Sequence, residues 1–416
     1  MEETKRERAV LAGLHAPALP PEQQADEETL AELRALLETA GGECAATVLQ
    51  QRAAPDPRTL FGGGKMEEIA ALARREEAGL LIVDNEISPS QMRALEEETG
   101  CAVLDRSGLI LDIFAQRAKT NEGKLQVELA QYQYILPRLA GLGKTLSRLG
   151  GGIGTRGPGE SKLESDRRHI RRRIYRLQEE LERVRRVRAV QRRARIKAEI
   201  PQVSLVGYTN AGKSTLLNRL TGADIPANDR LFDTLDPTTR KMKLSDTQEI
   251  FLSDTVGFIR KLPHHLIDAF KATLEEVADA DLLLHVVDLS HPQWREQAQT
   301  VERVLAELGA EHIPRLTVLN KADACPADAI PKDGEDWVAI SARQGWGLTN
   351  LKAAMERALA RDKHVLTVCL PYDQGALLNQ VHELAQIRQE RYLPDGVEIE
   401  LVCGDTLWGR LRPYQK

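Results

Sequence analysis

The stretch Val203–Thr215 carries the clearest chemical signal in the chain. An apolar strand pattern runs into Gly207, four further residues and then Gly212-Lys213-Ser214, after which a helical pattern begins. Glycines let backbone N–H groups surround phosphate oxygens, and the helix start adds its positive end. Lys213 can reach the β- and γ-phosphates, and the Ser214 hydroxyl can bind Mg²⁺. The residues expected to bind the phosphates of a nucleoside triphosphate are Gly207, Tyr208, Thr209, Asn210, Ala211, Gly212, Lys213 and Ser214.

Two later motifs indicate the base. Asp323 belongs to an Asn-Lys-Ala-Asp sequence at the end of an apolar strand, where its carboxylate can accept from N1–H and the exocyclic amine of guanine. Adenine lacks this pair of donors and would leave a buried charge unpaired. A second loop begins at Ser341 after another strand, where a backbone N–H can meet guanine O6. The expected base-binding residues are Asn320, Lys321, Ala322, Asp323, Ser341, Ala342 and Arg343.

A fourth stretch closes the apolar strand Ile250–Asp254. Asp254 is expected to hold Mg²⁺ through water, and the Gly257 N–H to bind the γ-phosphate with no side chain in the way. The nucleotide-contacting residues expected here are Asp254, Thr255, Val256 and Gly257, and the expected catalytic residues are Lys213 and Gly257.

The polar stretch Phe232–Arg240 lies between these motifs, where a first switch loop is expected. A threonine in such a loop can bind Mg²⁺ only while the γ-phosphate is present. Thr234, Thr238 and Thr239 all qualify, and spacing alone does not choose among them.

Position 258 is informative because it is not glutamine. GTPases that position their own attacking water often carry Gln directly after this glycine. Phe258 cannot hydrogen-bond a water, which predicts slow intrinsic hydrolysis and a partner that orders the switches. Simple core packing explains the phenylalanine equally well, although not the missing glutamine.

Composition excludes several classes of protein. The 416 residues carry a formal charge of −5, with 42% hydrophobic and 29% charged residues. No apolar run reaches the roughly 18 residues of a membrane span, and the amino terminus mixes acids with bases, unlike a signal peptide. Five scattered cysteines argue against a disulfide framework or a zinc site. We therefore expect a cytoplasmic protein.

The charge is unevenly distributed. Residues Lys162–Ala198 include 15 Lys or Arg and 5 Asp or Glu, so this window carries +10 and the remainder −15. Such a window predicts a polyanionic partner, while the simpler interpretation is a solvated charged helix.

Periodicity divides the chain into four predicted domains. The first 120 residues alternate between strand and helix patterns, typical of βα units on a mostly parallel sheet. Strands are expected at Ala45–Gln51, Leu80–Asp84 and Cys101–Asp105, and helices at Leu30–Gly42, at Met66–Gly79 and from Ser88-Pro89. The predicted divisions are 1–120 for an N-terminal α/β domain, 121–199 for a helical hairpin, 200–362 for a GTPase domain and 363–416 for a small α/β domain.

Two heptad patterns flank a glycine-rich segment and predict an antiparallel helical hairpin. Pro137 should kink or break the first helix. The joining loop Gly150–Gly159 holds six glycines and is either a linker or a functional tip carrying Arg156. The heptad positions are Leu125, Leu129, Tyr132, Leu136 and Leu139, then Ile170, Ile174, Leu177, Leu181 and Val184.

Strand and helix patterns also alternate in the last two predicted domains. Near-continuous apolar strands at Asp281–Leu289 and Leu316–Asn320 indicate a sheet buried on both faces. Beyond them the pattern predicts strand Val365–Leu370, helix Gln374–Arg391 and strand Val397–Val402.

The chain resembles the HflX family of translational GTPases over nearly its whole length. The resemblance rests on TLFGGGKMEEI, DRSGLILDIFAQRAKTNEGKLQVELAQ, GGGIGTRGPGESKLESDRRHI, GYTNAGKSTLLNRL, LFDTLDPTTR, DTVGFI and NKAD. It implies a GTPase, using GTP/GDP and Mg²⁺, that binds the 50S ribosomal subunit and its rRNA and helps to split stalled or idle ribosomes. The hairpin would carry its glycine-rich loop toward the peptidyl transferase centre. We expect a monomer.

The same resemblance assigns residues. Ser214 and Thr234 become the Mg²⁺ ligands, and the nucleotide is touched by Phe232, Asp233, Thr234, Leu235 and Asp236. The family usually has Ala where Asp233 stands, so this acid either weakens nucleotide affinity or faces solvent.

Other interpretations remain. The family's N-terminal domain has been linked to ATP, and Phe61–Lys65 is the candidate segment, with an ordinary glycine turn as the alternative. His264 and His265 are adjacent and so do not form a metal pair on a helix. A regulatory module that cycles nucleotide to control a protein partner is a rival function. A metabolic P-loop kinase conflicts with the guanine motif.

Overall fold

The computed structural model describes residues 7–146, 162–197, 200–223, 231–236, 238–245, 248–261, 277–361 and 363–415. These residues belong to two compact units. The first consists of Met1–Val184, Pro226–Asp236 and Val256–Leu274, and the second of Arg185–Ile225, Pro237–Thr255 and Glu275–Lys416. Each unit is described by itself below.

The first unit is built on a four-stranded parallel sheet in the order β2-β1-β3-β4. Its strands are β1 (Arg8–His15), β2 (Glu43–Gln51), β3 (Leu80–Val83) and β4 (Ala102–Asp105). Its helices are α1 (Glu27–Ala40), α2 (Gly63–Arg75), α3 (Pro89–Thr99) and α4 (Arg106–Arg117). The predicted βα architecture is confirmed, but the sequence patterns did not identify β1, which lies between β2 and β3.

Local chemistry fixes the ends of these helices. Asp26 and Thr29 form a reciprocal capping box at the start of α1, and Ser88 and Gln91 form another at the start of α3. Gly41 ends α1 in the left-handed conformation, at a φ of 94°. The predicted helix start at Ser88-Pro89 is therefore confirmed, and it depends on a capping box formed by residues close together in the sequence.

Two long helices complete the first unit, α5 (Asn121–Leu146) and α6 (Lys162–Lys197), with the division between units falling inside α6. Leu129 packs with Leu177 and Leu181, as the two heptad patterns predict. The Arg173 guanidinium makes two hydrogen bonds of 2.8 Å to the Glu128 carboxylate. Of the kink or break predicted at Pro137, the break is wrong, because α5 runs through this residue as one helix, and the kink stays a prediction.

The larger sheet of the second unit has six strands in the order β10-β9-β8-β5-β7-β6, all parallel except β6. The strands are β5 (Gln202–Gly207), β6 (Thr238–Lys243), β7 (Glu249–Asp254), β8 (Leu282–Asp288), β9 (Arg315–Asn320) and β10 (Trp337–Ala339). Helices α7 (Lys213–Thr221), α8 (Trp294–Glu307) and α9 (Leu348–Arg361) accompany them. Because β8 and β5 are almost fully buried, their apolar runs are explained by cover on both faces.

The carboxyl-terminal part is a three-stranded antiparallel sheet in the order β11-β13-β12. It contains β11 (Lys363–Leu370), α10 (Gly375–Leu384), β12 (Gln386–Leu393), β13 (Gly396–Gly404) and α11 (Asp405–Leu411). The helix predicted over Gln374–Arg391 is wrong beyond Leu384. Residues Gln386–Leu393 instead pair with β13, and Ile387 packs against the apolar core of this sheet. Non-local pairing overrides the weak local helix pattern.

His285 on β8 is a buried ionisable group whose titration affects stability. Burial, assisted by Arg315 and Lys213, outweighs the Glu302 carboxylate 3.2 Å from its Nδ1 and lowers the pKa of His285 to about 4. An unfolded histidine titrates near 6.5, so the stabilising neutral form is fully present above that pH and is lost as pH falls toward 4. We expect unfolding free energy to fall by about 2 kcal/mol between pH 7 and pH 5 from this group alone.

Replacing His285 by Leu should remove this increment, measured as the pH dependence of amide hydrogen exchange in β8. A matched change at exposed His312, His312→Gln, is the control. An unchanged pH dependence in the His285→Leu protein would contradict the assignment.

Candidate functional site

The loop between β5 and α7 is shaped by two close backbone approaches. A Cβ on Gly207 would lie 2.2 Å from the Val286 carbonyl oxygen, and one on Gly212 would lie 2.3 Å from Asn320 Nδ2. Gly212 also has a φ of 94°, in the left-handed region. Glycine is therefore required at both positions, and the amino end of α7 presents its N–H groups as a phosphate site does.

Lys213 lies folded onto this loop. Its Nζ donates to the carbonyl oxygens of Gly207, at 3.1 Å, and Tyr208, at 2.9 Å. Burial lowers the pKa of Lys213 to about 8, opposed by the nearby carboxylate of Asp254. The side chain is thus held at the phosphate loop, and its role at the phosphates stays a prediction.

Ser214 and Asp254 bring two hard oxygen donors together. The Ser214 hydroxyl donates to Asp254 Oδ2 at 2.6 Å, and Asp254 is fully buried at the end of β7. Thr255 follows in the chain and donates its hydroxyl to the Leu205 carbonyl oxygen at 2.6 Å. A hydroxyl and a carboxylate beside a phosphate loop fit Mg²⁺, which binds few protein oxygens and shares its shell with water and phosphates.

Asn320 connects two loops. Its Nδ2 donates to the Ala211 carbonyl oxygen at 2.8 Å, and its Oδ1 accepts from the Ala342 N–H at 2.9 Å. Arg219 on α7 donates to the carbonyl oxygens of Ala342 and Arg343 as well. The phosphate loop and the loop after β10 are therefore held at one fixed separation.

The rest of the predicted base motif surrounds this connection. Lys321 adopts a left-handed conformation, at a φ of 60°, and its Nζ pairs with Asp288 at 2.7 Å. Ala322 is buried, whereas Asp323 is exposed and accepts from Gln344 Nε2 at 3.4 Å. Ser341 is fully buried and its Oγ accepts from the Gln344 N–H at 3.0 Å. An exposed carboxylate on a fixed turn can receive a base.

The other predicted site residues belong to the first unit. Val256 and Gly257 lie there, as does the whole segment Phe232–Asp236. The alternative threonines, Thr238 and Thr239, instead form β6 in the second unit, opposite Asp254 and Ser253. The assignment of Thr234 as a metal ligand stays a prediction.

Side chains of Phe232–Asp236 contact α4 and the start of α5. The Phe232 ring meets Phe114 edge-on, with centroids 4.8 Å apart, and Leu235 is buried. Asp233 is 9% exposed and pairs with Arg117 at 3.5 Å, so the expectation that this acid faces solvent is wrong.

Sequence patterns missed a charged cluster beyond Gly257. Phe258 is buried, and Lys261 pairs with Asp84, which is itself fully buried after β3. Arg106 donates to the other Asp84 oxygen at 2.8 Å and also pairs with Glu32. Burial alone would raise the pKa of Asp84, but Arg106 and Lys261 outweigh it and leave that pKa below its usual value. Asp84 and Arg106 are separated from Lys261 by about 150 residues or more, so no local spacing signals the cluster.

Two remaining predictions concern the N-terminal half. The Phe61–Lys65 segment begins α2, where the Gly62 N–H donates to Gln50 Oε1 at 3.0 Å and Lys65 pairs with Glu68 at 2.7 Å. This arrangement agrees with an ordinary glycine turn. His264 and His265 lie outside the described residues.

The described part of α6 presents a basic surface. Arg168, Arg171, Arg172 and Arg176 are exposed, and Tyr175 beside them is 62% exposed. No helix among the described residues is long and apolar enough to cross a membrane. Those residues also contain no cluster of three or more His, Cys, Asp or Glu able to hold a metal ion.

A mostly parallel sheet with a glycine-fixed phosphate loop, a Ser–Asp pair and an asparagine connection to the base loop defines the class of P-loop GTPases, which confirms the predicted fold class. Three family descriptions match in succession: GTP-binding GTPase N-terminal over residues 27–115, GTP-binding GTPase Middle Region over 117–195 and 50S ribosome-binding GTPase over 202–321.

Full-length relatives identify the family. A GTPase HflX of Caldanaerobacter subterraneus is 47% identical over 416 residues, covering 100% of this chain and 95% of that protein. The GTPase HflX of Escherichia coli K12 is 46% identical, covering 94% and 93%. The chain belongs to the HflX family of GTPases. A GTP-binding protein of Sulfolobus solfataricus, solved in complex with GDP, is 26% identical with a TM-score of 0.43, covering 85% of this chain and 99% of that one.

Removing the acid of the buried cluster should destabilise the first unit. In the Asp84→Asn protein, Arg106 and Lys261 lose their shared counter-charge while remaining buried. We expect the opening free energy of β3 and α4, measured by amide hydrogen exchange, to fall by about 3–5 kcal/mol. Asp328→Asn, at an exposed turn, is the matched control. A loss below about 1 kcal/mol would show that the cluster does not hold this unit together.

Proposed function

We propose that this chain is a Mg²⁺-dependent GTP hydrolase that binds the 50S ribosomal subunit through rRNA and splits or rescues stalled or idle ribosomes. The observation that carries the GTP assignment is the Asn320 connection, because it holds the phosphate loop and the base loop at one separation. Membership of the HflX family and the 50S ribosome-binding GTPase description of residues 202–321 support the ribosomal partner. We propose a monomer acting in the cytoplasm.

The proposed division of labour follows the chemistry of each group. The Gly207–Ser214 loop surrounds the phosphates, Lys213 neutralises their charge and the Gly257 N–H binds the γ-phosphate. Ser214 and Thr234 would hold Mg²⁺, which would supply positive charge against the charge developing on the phosphates. Asp323 selects guanine through its two donors. Phe232–Asp236, with Thr255 and Val256, complete the nucleotide contacts.

Hydrolysis by the free protein is proposed to be slow. The side chain after Gly257 is the buried Phe258, which has no polar atom with which to orient an attacking water. A ribosome that orders the switch segments would then raise the rate. Phe258 also packs in the core, and this packing is compatible with the explanation, because the same side chain can fill the core and still leave the attacking water without a hydrogen-bond partner.

The basic surface of α6 is the proposed rRNA contact. Its arginines are exposed in the described residues, and rRNA is a dense polyanion whose counterions they displace. A protein partner bound by apolar burial would depend much less on salt, which separates this proposal from a regulatory module controlling a protein.

The base assignment can be tested by changing one oxygen to nitrogen. Asp323→Asn replaces one of the two acceptor oxygens with a donor, so N1–H and the exocyclic amine of guanine can no longer both be accepted. GTP affinity should therefore fall by about 100-fold or more while affinity for xanthosine triphosphate rises. Both affinities can be measured by fluorescent nucleotide displacement. Asp328→Asn on the neighbouring turn is the matched control. GTP affinity that stays unchanged in the Asp323→Asn protein would show that the base pocket has been misplaced.

The ribosomal assignment can be tested by titrating 50S subunits into the hydrolysis assay. We expect the GTPase rate to rise by on the order of tenfold or more, and 50S affinity to fall steeply with salt. The double variant Arg171→Gln/Arg172→Gln should lower the slope of log affinity against log salt by about 2.

Arg74→Gln/Arg75→Gln, two exposed arginines on α2, is the matched control and should keep the original slope. A hydrolysis rate that does not change across the 50S titration would contradict the proposal that the 50S subunit is the partner. An unchanged slope in the α6 variant would contradict only the assignment of the rRNA contact to α6. Sedimentation with 70S particles and a non-hydrolysable GTP analogue then tests splitting directly.

A further inference from the structure

The Asp236 carboxylate lies at the start of α5. Its Oδ2 accepts from the N–H groups of Lys119, at 2.8 Å, and Thr120, at 3.0 Å. Its Oδ1 accepts from the Thr120 hydroxyl at 2.5 Å. Three donors from two consecutive residues therefore hold one carboxylate that comes from more than 110 residues further along the chain. A negative charge there is also favoured by the positive end of the helix.

The start of α5 is shaped to receive this carboxylate. The Thr120 hydroxyl oxygen accepts from the Gly123 N–H at 2.9 Å, so Thr120 caps the helix and donates to Asp236 with one group. A Cβ on Gly123 would lie 2.3 Å from Asp236 Oδ1. Glycine in the first turn of a helix is otherwise unfavourable, and here it provides the space for the carboxylate.

Neighbouring residues of the same segment strengthen the attachment. Phe232 packs on Phe114 near the end of α4, and Asp233 pairs with Arg117, the last residue of that helix. Together with Asp236, these contacts fix Phe232–Asp236 to the junction of α4 and α5 at three points.

The next described element along the chain is strand β6 of the second unit. Two residues after Asp236, Thr238 begins β6 and pairs in register with Asp254 of β7. Two residues before it lies Thr234, the proposed Mg²⁺ ligand. A rearrangement of Thr234 on binding or loss of the γ-phosphate would therefore act on the Asp236 hydrogen bonds and on the first turn of α5.

From this geometry we propose that Asp236 is a positioning residue that transmits the nucleotide state to the helical hairpin through the Thr120–Gly123 turn. This inference rests on the proposed function, in which Phe232–Asp236 is a switch. Movement of α5 reaches α6 through Leu129, Leu177 and Leu181 and through the Glu128–Arg173 pair. The basic surface of α6 is thereby presented differently in the GTP and GDP forms.

The test changes the helix side of the contact and leaves the nucleotide loop intact. Gly123→Ala places a methyl group against Asp236 Oδ1, and Thr120→Val removes the hydroxyl with little change of shape. Gly409→Ala is the control, because a Cβ on that helical glycine meets nothing within 4 Å. The readouts are amide hydrogen exchange over residues 119–123 and 50S affinity, each with GDP and with a non-hydrolysable GTP analogue.

In the unaltered protein, we expect the two nucleotides to differ on the order of tenfold in both readouts. In Gly123→Ala and Thr120→Val, the difference should shrink to within about twofold, while nucleotide affinity stays within about threefold of the original.

Several results would overturn the inference. One is a full nucleotide response of residues 119–123 in both helix-side variants. Another is a collapse of nucleotide affinity in both, which would make the contact part of the binding site. Absence of GTP binding by the unaltered protein is a different result, since it refutes the proposed function before any variant is compared.

Discussion

The side-chain amide of Asn320 is the interaction on which the nucleotide site depends. Only an amide can donate to the Ala211 carbonyl and accept from the Ala342 N–H at the same time from one rigid plane. A carboxylate would face the Ala211 carbonyl with a second acceptor, and an alanine would leave two buried backbone groups without this partner. Gly212 is obligatory for the same reason, since any side chain there would displace the amide. The geometry of phosphate and base recognition follows from one buried contact.

Residues whose chemistry is local were predictable from the sequence. The phosphate loop, the guanine motif and the strands that carry them follow from short-range rules, because each needs only a strand, a turn and a helix in order. The start of α3 at Ser88-Pro89 follows in the same way from a cap. The heptads of α5 and α6 predicted the pairing of Leu129 with Leu177 and Leu181.

Residues whose role depends on distant partners were not predictable. Strand β1 has no turn signal before it, and its place between β2 and β3 is set by sheet pairing. The helix wrongly extended to Arg391 fails because β13 offers Gln386–Leu393 a ladder of hydrogen bonds. The attachment of Asp236 to Thr120 and of Lys261 to Asp84 joins residues more than 110 positions apart, which no spacing reveals.

Asp84 and Asp236 differ in the free energy needed to separate each carboxylate from its partners. Asp84 is fully buried, so separating it from Lys261 would leave desolvated charges, at a cost of about 3–5 kcal/mol. Asp236 is only half-buried, and water can replace its partners, so its contact opens for about 1–3 kcal/mol. That range matches the free energy by which one ligand usually alters the affinity for another. The segment after Gly257 is therefore the more firmly attached of the two, and the Asp236 contact is the one that we propose responds to a γ-phosphate.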